Sequence, residues 1–335
     1  MKYTIKLMLV TSCVVLVSTF LFANDPAKEF SIAKNPNGVW SYGFTPTLGA
    51  SFSLADAKWT NFEYQQGYDF WHSTSQASCS SGIGGTIGRN EAPQEGSERF
   101  PQDTLHQHPG CHGELSVLRW IVPLSGTYQL RGSFWGDQTA CGGTTTDVHI
   151  RWNSENPLLD ADIYGFIDHR EALFDLQQLV TAGDTIDFAV GFGSDGNWYC
   201  DGTALQLTID LLPAINIKPG DPDNKIHIAT PGMVAVAILS DASFDAPAMV
   251  VRSSLTFGRI GDQQSLVYKP DRFDTRLQVP VCSTSDVNGD GLKDLVCQFD
   301  KQLAGFQLTD TYGVLRGKTT TGITIKGTDA VQVLK

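Results

Sequence analysis

After residue 22 this chain has no long apolar run, and nowhere does it have a basic run or Lys/Glu-rich helical periodicity. The first absence means that no membrane span is expected beyond the extreme N-terminus. The second disfavours nucleic acid, because phosphate backbones are held by clustered cations. Here 24 Lys and Arg face 36 Asp and Glu, for a formal charge of −12. Net charge also argues against an acidic polysaccharide, although a local Arg/His patch could override it. The third absence removes bundles and coiled coils. Gly-x-Ser-x-Gly, His-Glu-x-x-His and phosphate-loop motifs are missing too. Carboxylates are plentiful, but no spacing marks a general acid and its partner, since their separation is a three-dimensional fact. Internal repeats and low-complexity segments are also absent.

What is present reads as an exported β protein. Lys2 and Lys6 precede an apolar run from Leu7 to Phe22, then Ala23 and Asn24-Asp-Pro, the layout of a secretory signal over residues 1–23. Val10-Thr-Ser-Cys13 has lipobox residue types, but hydrophobicity continues for nine residues past Cys13, where a lipoprotein turns polar. The expected location is therefore extracellular or periplasmic. Beyond the signal six cysteines remain: Cys79, Cys111, Cys141, Cys200, Cys282 and Cys297. An even number in an exported chain implies disulfides. Their layout suggests 79–111, 141–200 and 282–297.

Short alternating segments run from Ser51–Leu54 through Leu115–Val122, Gly126–Phe134, Thr145–Trp152, Ala172–Leu179, Thr185–Phe192 and Leu205–Leu211, separated by Gly/Asp/Asn/Pro turns. This spacing predicts an all-β sandwich over residues 24–212. The polar, Gly-rich region from Asn61 to His112 is either a decorated loop or carries further strands. Past Pro213-Ala214, Ile215–Ile217, Lys225–Ile228, Val234–Leu239, Ser254–Phe257, Val279–Val281, Leu295–Phe299, Thr311–Thr319 and Thr324–Val333 predict a second, smaller sandwich over residues 213–335. The fold class expected is thus all-β, two jelly-roll-like β-sandwich domains in tandem.

The most specific motif is Asp286-Val-Asn-Gly-Asp-Gly-Leu-Lys-Asp294. Side-chain oxygens at Asp286, Asn288, Asp290 and Asp294, with the Leu292 carbonyl, have the spacing that wraps Ca²⁺, and Gly291 permits the sharp turn. The bidentate acid of an EF-hand is replaced by Cys297, and the flanks read as strands, so the unit expected is strand–calcium loop–strand. Cys282 and Cys297 would clamp its base.

Sugar recognition needs flat aromatic faces and planar polar groups. Trp135 with Asp137, Trp198-Tyr199 with Asp201, and His108, Arg119, Asp147 and His149 supply both kinds. Trp120 and Trp152, inside strands, read as core. His106-x-His108, Glu114 and His149 also offer a cupin-like donor set for a transition metal, though the spacing is one residue too long and the glycines of the second motif are missing.

The second half resembles a calcium-binding β-sandwich module of secreted bacterial proteins, on Ile217-Lys-Pro-Gly-Asp-Pro-Asp-Asn224, Val234-Ala-Val-Ala-Ile-Leu239, Ser254-Leu-Thr-Phe-Gly258 and the calcium loop. The first half resembles a jelly-roll module of bacterial surface and secreted proteins. That likeness rests on Asn35-Pro-Asn-Gly-Val-Trp-Ser-Tyr-Gly43, His108-Pro-Gly110, Val117-Leu-Arg-Trp120, Thr144-Thr-Thr-Asp-Val-His149 and Ala182-Gly-Asp-Thr-Ile-Asp187. These resemblances imply a non-catalytic, glycan-binding first domain and a calcium-stabilised accessory second domain. Two other classes remain open: a metal-dependent or glycan-active enzyme, and a matrix or adhesion protein.

Overall fold

The structure, a computed structural model, describes residues 25–61, 68–74, 85–90, 104–138, 142–165 and 172–335. The expected signal segment, Cys13, Cys79 and Cys141 lie outside the described residues. The chain is all-β, and its helical elements include the single turn Ala246–Met249 and the 3₁₀ turn Arg252–Ser254.

In the first half two sheets face each other. One is antiparallel with six strands, in the order Asn156–Asp162, Asp147–Trp152, Thr185–Gly191, Leu115–Ile121, Trp40–Thr45 and Ser53–Leu54. The other runs Ala57–Trp59, Tyr68–His72, Thr86–Asn90, Leu105–His108 and Thr203–Leu211, and Gly126–Gly136 and Ala172–Val180 continue it along the far edge of Thr203–Leu211. Side chains of a strand alternate between faces, so one set of each fills the space between the sheets. Trp40, Leu118, Trp120, Tyr128, Leu130, Phe134, Ile150, Phe188 and Leu205 are buried there. Trp120 meets Tyr128 edge to face across the gap, with centroids 5.0 Å apart. Gln107 points into the same core, where its amide donates to the carbonyls of Ser116 and Phe188 on the facing sheet, each at 3.1 Å. That bond fixes the opposite direction for its neighbours His106 and His108, onto the outer face.

The second half pairs Ile215–Ile217, Met233–Ile238, Asp294–Asp300 and Cys282–Ser285 in one sheet. Its apolar side packs on Thr256–Gly258, Tyr312–Lys318 and Thr324–Ala330, with Phe257 and Phe299 5.1 Å apart in the middle. The Lys218-Pro-Gly-Asp-Pro-Asp-Asn224 segment is a polar knot. Asn224, at φ +47°, donates to Asp329 and to the Ala330 carbonyl, and the Ile217 N–H donates to the same carboxylate. The larger sheet runs on from one half into the other, because Leu211 pairs in parallel with Ile325. The Thr324 hydroxyl donates to the Ile209 carbonyl, and Lys326 donates to Gln129 at 3.0 Å.

Candidate functional site

The outer face of the larger sheet carries the densest group of chemically capable side chains. His106 lies opposite Gly88 and Ala204 in register, and Ala204 lies opposite Trp135, so His106 and Trp135 share one row. His106 Nδ1 is 2.7 Å from Asp137 Oδ2, and both residues are buried. The second Asp137 oxygen, Oδ1, is buried with no hydrogen-bond partner. Burial pushes the Asp137 carboxyl up, against the opposing pull of His106. Gly202 makes this approach possible, since a Cβ there would stand 2.4 Å from Asp137 Oδ1 and 2.9 Å from His106 Cε1.

His108 sits two residues along on the same face. Its Nδ1 is 2.9 Å from the Pro109 carbonyl, which selects the tautomer with the proton on Nδ1. Burial pushes its pKa down to about 4, helped by His106, so the ring is neutral near pH 7. Trp198 meets the His108 ring edge-on at 6.0 Å and stacks with Tyr199 at 4.5 Å; Tyr199 is about half exposed. A neutral imidazole, a buried His–Asp pair and an exposed aromatic pair therefore gather at one end of the sandwich.

The other expected residues lie elsewhere. Arg119 is on the outer face of the six-stranded sheet, where both ends of its guanidinium grip Asp187 at 2.6 and 2.7 Å and its plane covers Phe52. His149 shares that sheet and is clasped between Asp147 and Asp160, at 2.8 and 2.5 Å. Burial opposes its charge, but the two carboxylates outweigh it and hold its pKa above the usual value. Arg151 donates to the same Asp160 oxygen, Oδ1, that His149 meets. Asp201 is at the loop end, where Thr145 donates to its Oδ1 from the backbone at 2.9 Å and from the hydroxyl at 3.0 Å. The cupin-like donors do not gather: Glu114 accepts from the backbone of its neighbour His112, and His149 has a carboxylate on each ring nitrogen. Trp120 is fully buried, as its place in a strand implies.

Cys282 and Cys297 face each other in register and form the expected disulfide. Cys111 and Cys200 are each disulfide-bonded as well. Between the paired strands the Asp286 loop turns through Gly289 and Gly291, at φ +80° and +89°, where no atom lies within 4 Å of an added Cβ. Asp286 accepts from the N–H groups of Gly289 and Gly291, Asn288 from Asp290, and Asp290 from Leu292. Asp294 is buried and anchors the loop, accepting from Ser240 and Val287, both at 2.9 Å. The donor set is all oxygen, and each carboxylate oxygen keeps a further lone pair, which fits a hard cation. Among the described residues no three His, Cys, Asp or Glu side chains already close on one point.

Sequence reasoning assigned His106 only to the metal alternative, and it did not single out Asp160 or Asp187. The His106-Gln-His108 alternation is the signal that places both imidazoles on one face, once Gln107 is recognised as core. Asp160 and Asp187 carry no such signal, because only strand register brings them to His149 and Arg119.

No protein-family model and no curated protein matches this chain. Among solved structures it is similar to rabbit GITRL, with 20% identity over 28% of this chain and 69% of the other, at a TM-score of 0.19. It is similar to a family 29 carbohydrate-binding module, with 10% identity over 51% and 86% and a TM-score of 0.23. A Paenibacillus sp. cycloisomaltooligosaccharide glucanotransferase in complex with cycloisomaltoheptaose gives 10% identity over 64% and 42%, with a TM-score of 0.24. Scores this low carry no weight for ligand or activity, so the functional reading stands on geometry alone.

Proposed function

We propose that this chain is an exported, non-catalytic glycan-binding protein whose second half is clamped by Ca²⁺ in the Asp286–Asp294 loop. The observation that carries the glycan reading is the stacked Trp198–Tyr199 pair against the neutral His108 ring, two residues along the strand from the His106–Asp137 couple. Sugars present C–H faces to aromatic rings and hydroxyls to planar polar groups, and both surfaces are adjacent here. Loops at the end of a rigid sandwich are also where binding residues concentrate.

A glycan array probed with the purified full chain tests this, with Trp198→Ala as control. The expected result is a defined set of bound glycans lost in the variant. Uniformly negative arrays, or binding unchanged by Trp198→Ala, would overturn the assignment. For the loop, Asp290→Ala should abolish the Ca²⁺-dependent rise in melting temperature, since a ligand of the folded state stabilises only through its binding free energy. An undiminished rise in that variant would refute the loop assignment.

A further inference from the structure

We propose a second calcium site, at the loop end of the first sandwich, held by the carboxylates of Asp195 and Asp201 around Thr145. The starting observation is an unmet charge. Asp201 has 0% exposure, and its Oδ2 is buried with no hydrogen-bond partner. Its other oxygen shares the Thr145 hydroxyl with Asp195: that hydroxyl is 3.0 Å from Asp201 Oδ1 and 3.0 Å from Asp195 Oδ2. One hydroxyl has one proton, so it donates to only one of the two carboxylates at a time.

Asp147 adds a third negative charge nearby, although its own oxygens are occupied by the Gly193 N–H and His149. The buried, unpartnered Asp201 oxygen calls for a positive partner, either a proton or a cation. A cation is the better answer because one ion serves both carboxylates at once, whereas a proton neutralises Asp201 alone. The donors are all oxygen and the loop Gly193-Ser-Asp-Gly-Asn197 is irregular, which suits Ca²⁺. Zn²⁺ prefers nitrogen and sulfur, and Mg²⁺ a near-ideal octahedron. Two carboxylates with neutral loop oxygens suffice, so the site does not require three acidic groups to be gathered in advance.

Trp198 lies between the two ligands in sequence, and no tryptophan follows it in the chain. Terbium, a luminescent stand-in for Ca²⁺, would therefore be sensitised by tryptophan here and not from the Asp286 loop's own half. The experiment titrates Tb³⁺ into the full-length chain freed of metal, in the Asp290→Ala background. Saturable tryptophan-sensitised emission that Ca²⁺ displaces and Mg²⁺ does not is the expected result. Asp201→Asn, nearly isosteric, should abolish it, as should Asp195→Asn at an exposed position that leaves the core untouched. Emission surviving both substitutions overturns the site, as does no saturable emission in the Asp290→Ala background. Displacement by Mg²⁺ as readily as by Ca²⁺ overturns the calcium assignment.

Discussion

Acid should loosen this protein through His108, and the size of the effect follows from its surroundings. The ring is buried, its Nδ1–H is used by the Pro109 carbonyl, and its pKa lies near 4, against 6.5 for an ordinary histidine. Between those values the unfolded chain takes up the proton more readily than the folded one. Stability from the neutral ring is therefore fully present above about pH 6.5 and is lost as pH falls towards 4. At 1.36 kcal/mol for each pKa unit, the loss reaches about 3 kcal/mol. For a unit of roughly 150–250 residues, that corresponds to a melting point lower by about 6–12 °C. His72, also pushed down by burial, acts in the same direction, whereas His149 and Asp137 are raised and act oppositely. The difference between wild type and a non-titrating His108→Gln isolates the one ring. Calorimetry from pH 7.5 down to 4 should show the wild-type melting point falling more steeply than the variant's. Parallel curves would refute the reasoning, since they would mean that the folded and unfolded chains protonate His108 alike.

Two further perturbations follow from the described contacts. Reducing the Cys282–Cys297 bridge, or replacing both cysteines by alanine, opens a loop of 15 residues and should cost about 3 kcal/mol by the chain-entropy relation, read by urea unfolding under reducing and oxidising conditions. Gly202→Ala places a methyl 2.4 Å from Asp137 Oδ1, so it should separate the His106–Asp137 couple, cost about 1–3 kcal/mol and remove glycan binding on the array; retained binding would show that the couple is not part of the site.

Legibility in the sequence tracked one-sided burial. Ala172–Val180 alternates exposed and covered positions along almost its whole length, and its alternation in the sequence predicts a strand there. Trp40–Thr45 and Leu105–His108 are covered on both faces, so alternation is erased and periodicity had nothing to detect. Asn156–Asp162 was hidden for a different reason: it is a half-exposed edge strand interrupted by a bulge between Pro157 and Leu159. The Asp286 turn and the Cys282–Cys297 pairing were legible because both are local chemistry at fixed spacing. The division of the polar residues was not. Arg119 and His108 are both polar residues in strands, and only the pairing of Arg119 with Asp187 across neighbouring strands, and the inward turn of Gln107, assigns them to opposite outer faces.

The two proposals at the loop end make a joint demand that neither makes alone. Trp198 and Tyr199 sit on the short span between Asp195 and Asp201, and Asn197 already braces that span by accepting from the Tyr199 N–H at 3.1 Å. A cation gripping both carboxylates would fix the ends of this span and so hold the aromatic pair in place before a sugar arrives. Ordering a binding surface in advance removes part of the entropy cost of association. Glycan affinity should then fall when Ca²⁺ is withdrawn, and saturating glycan should tighten Ca²⁺ binding by the same factor, because coupling between two sites is reciprocal. Couplings of this kind run to about 1–3 kcal/mol, or roughly 5–150-fold in affinity. Isothermal titration of a bound glycan, with and without Ca²⁺ in the Asp290→Ala background, measures the factor at this end of the molecule alone. An affinity that ignores Ca²⁺ would mean that the aromatic pair is already rigid through Cys200 and the Asn197 brace, leaving the cation without influence on recognition.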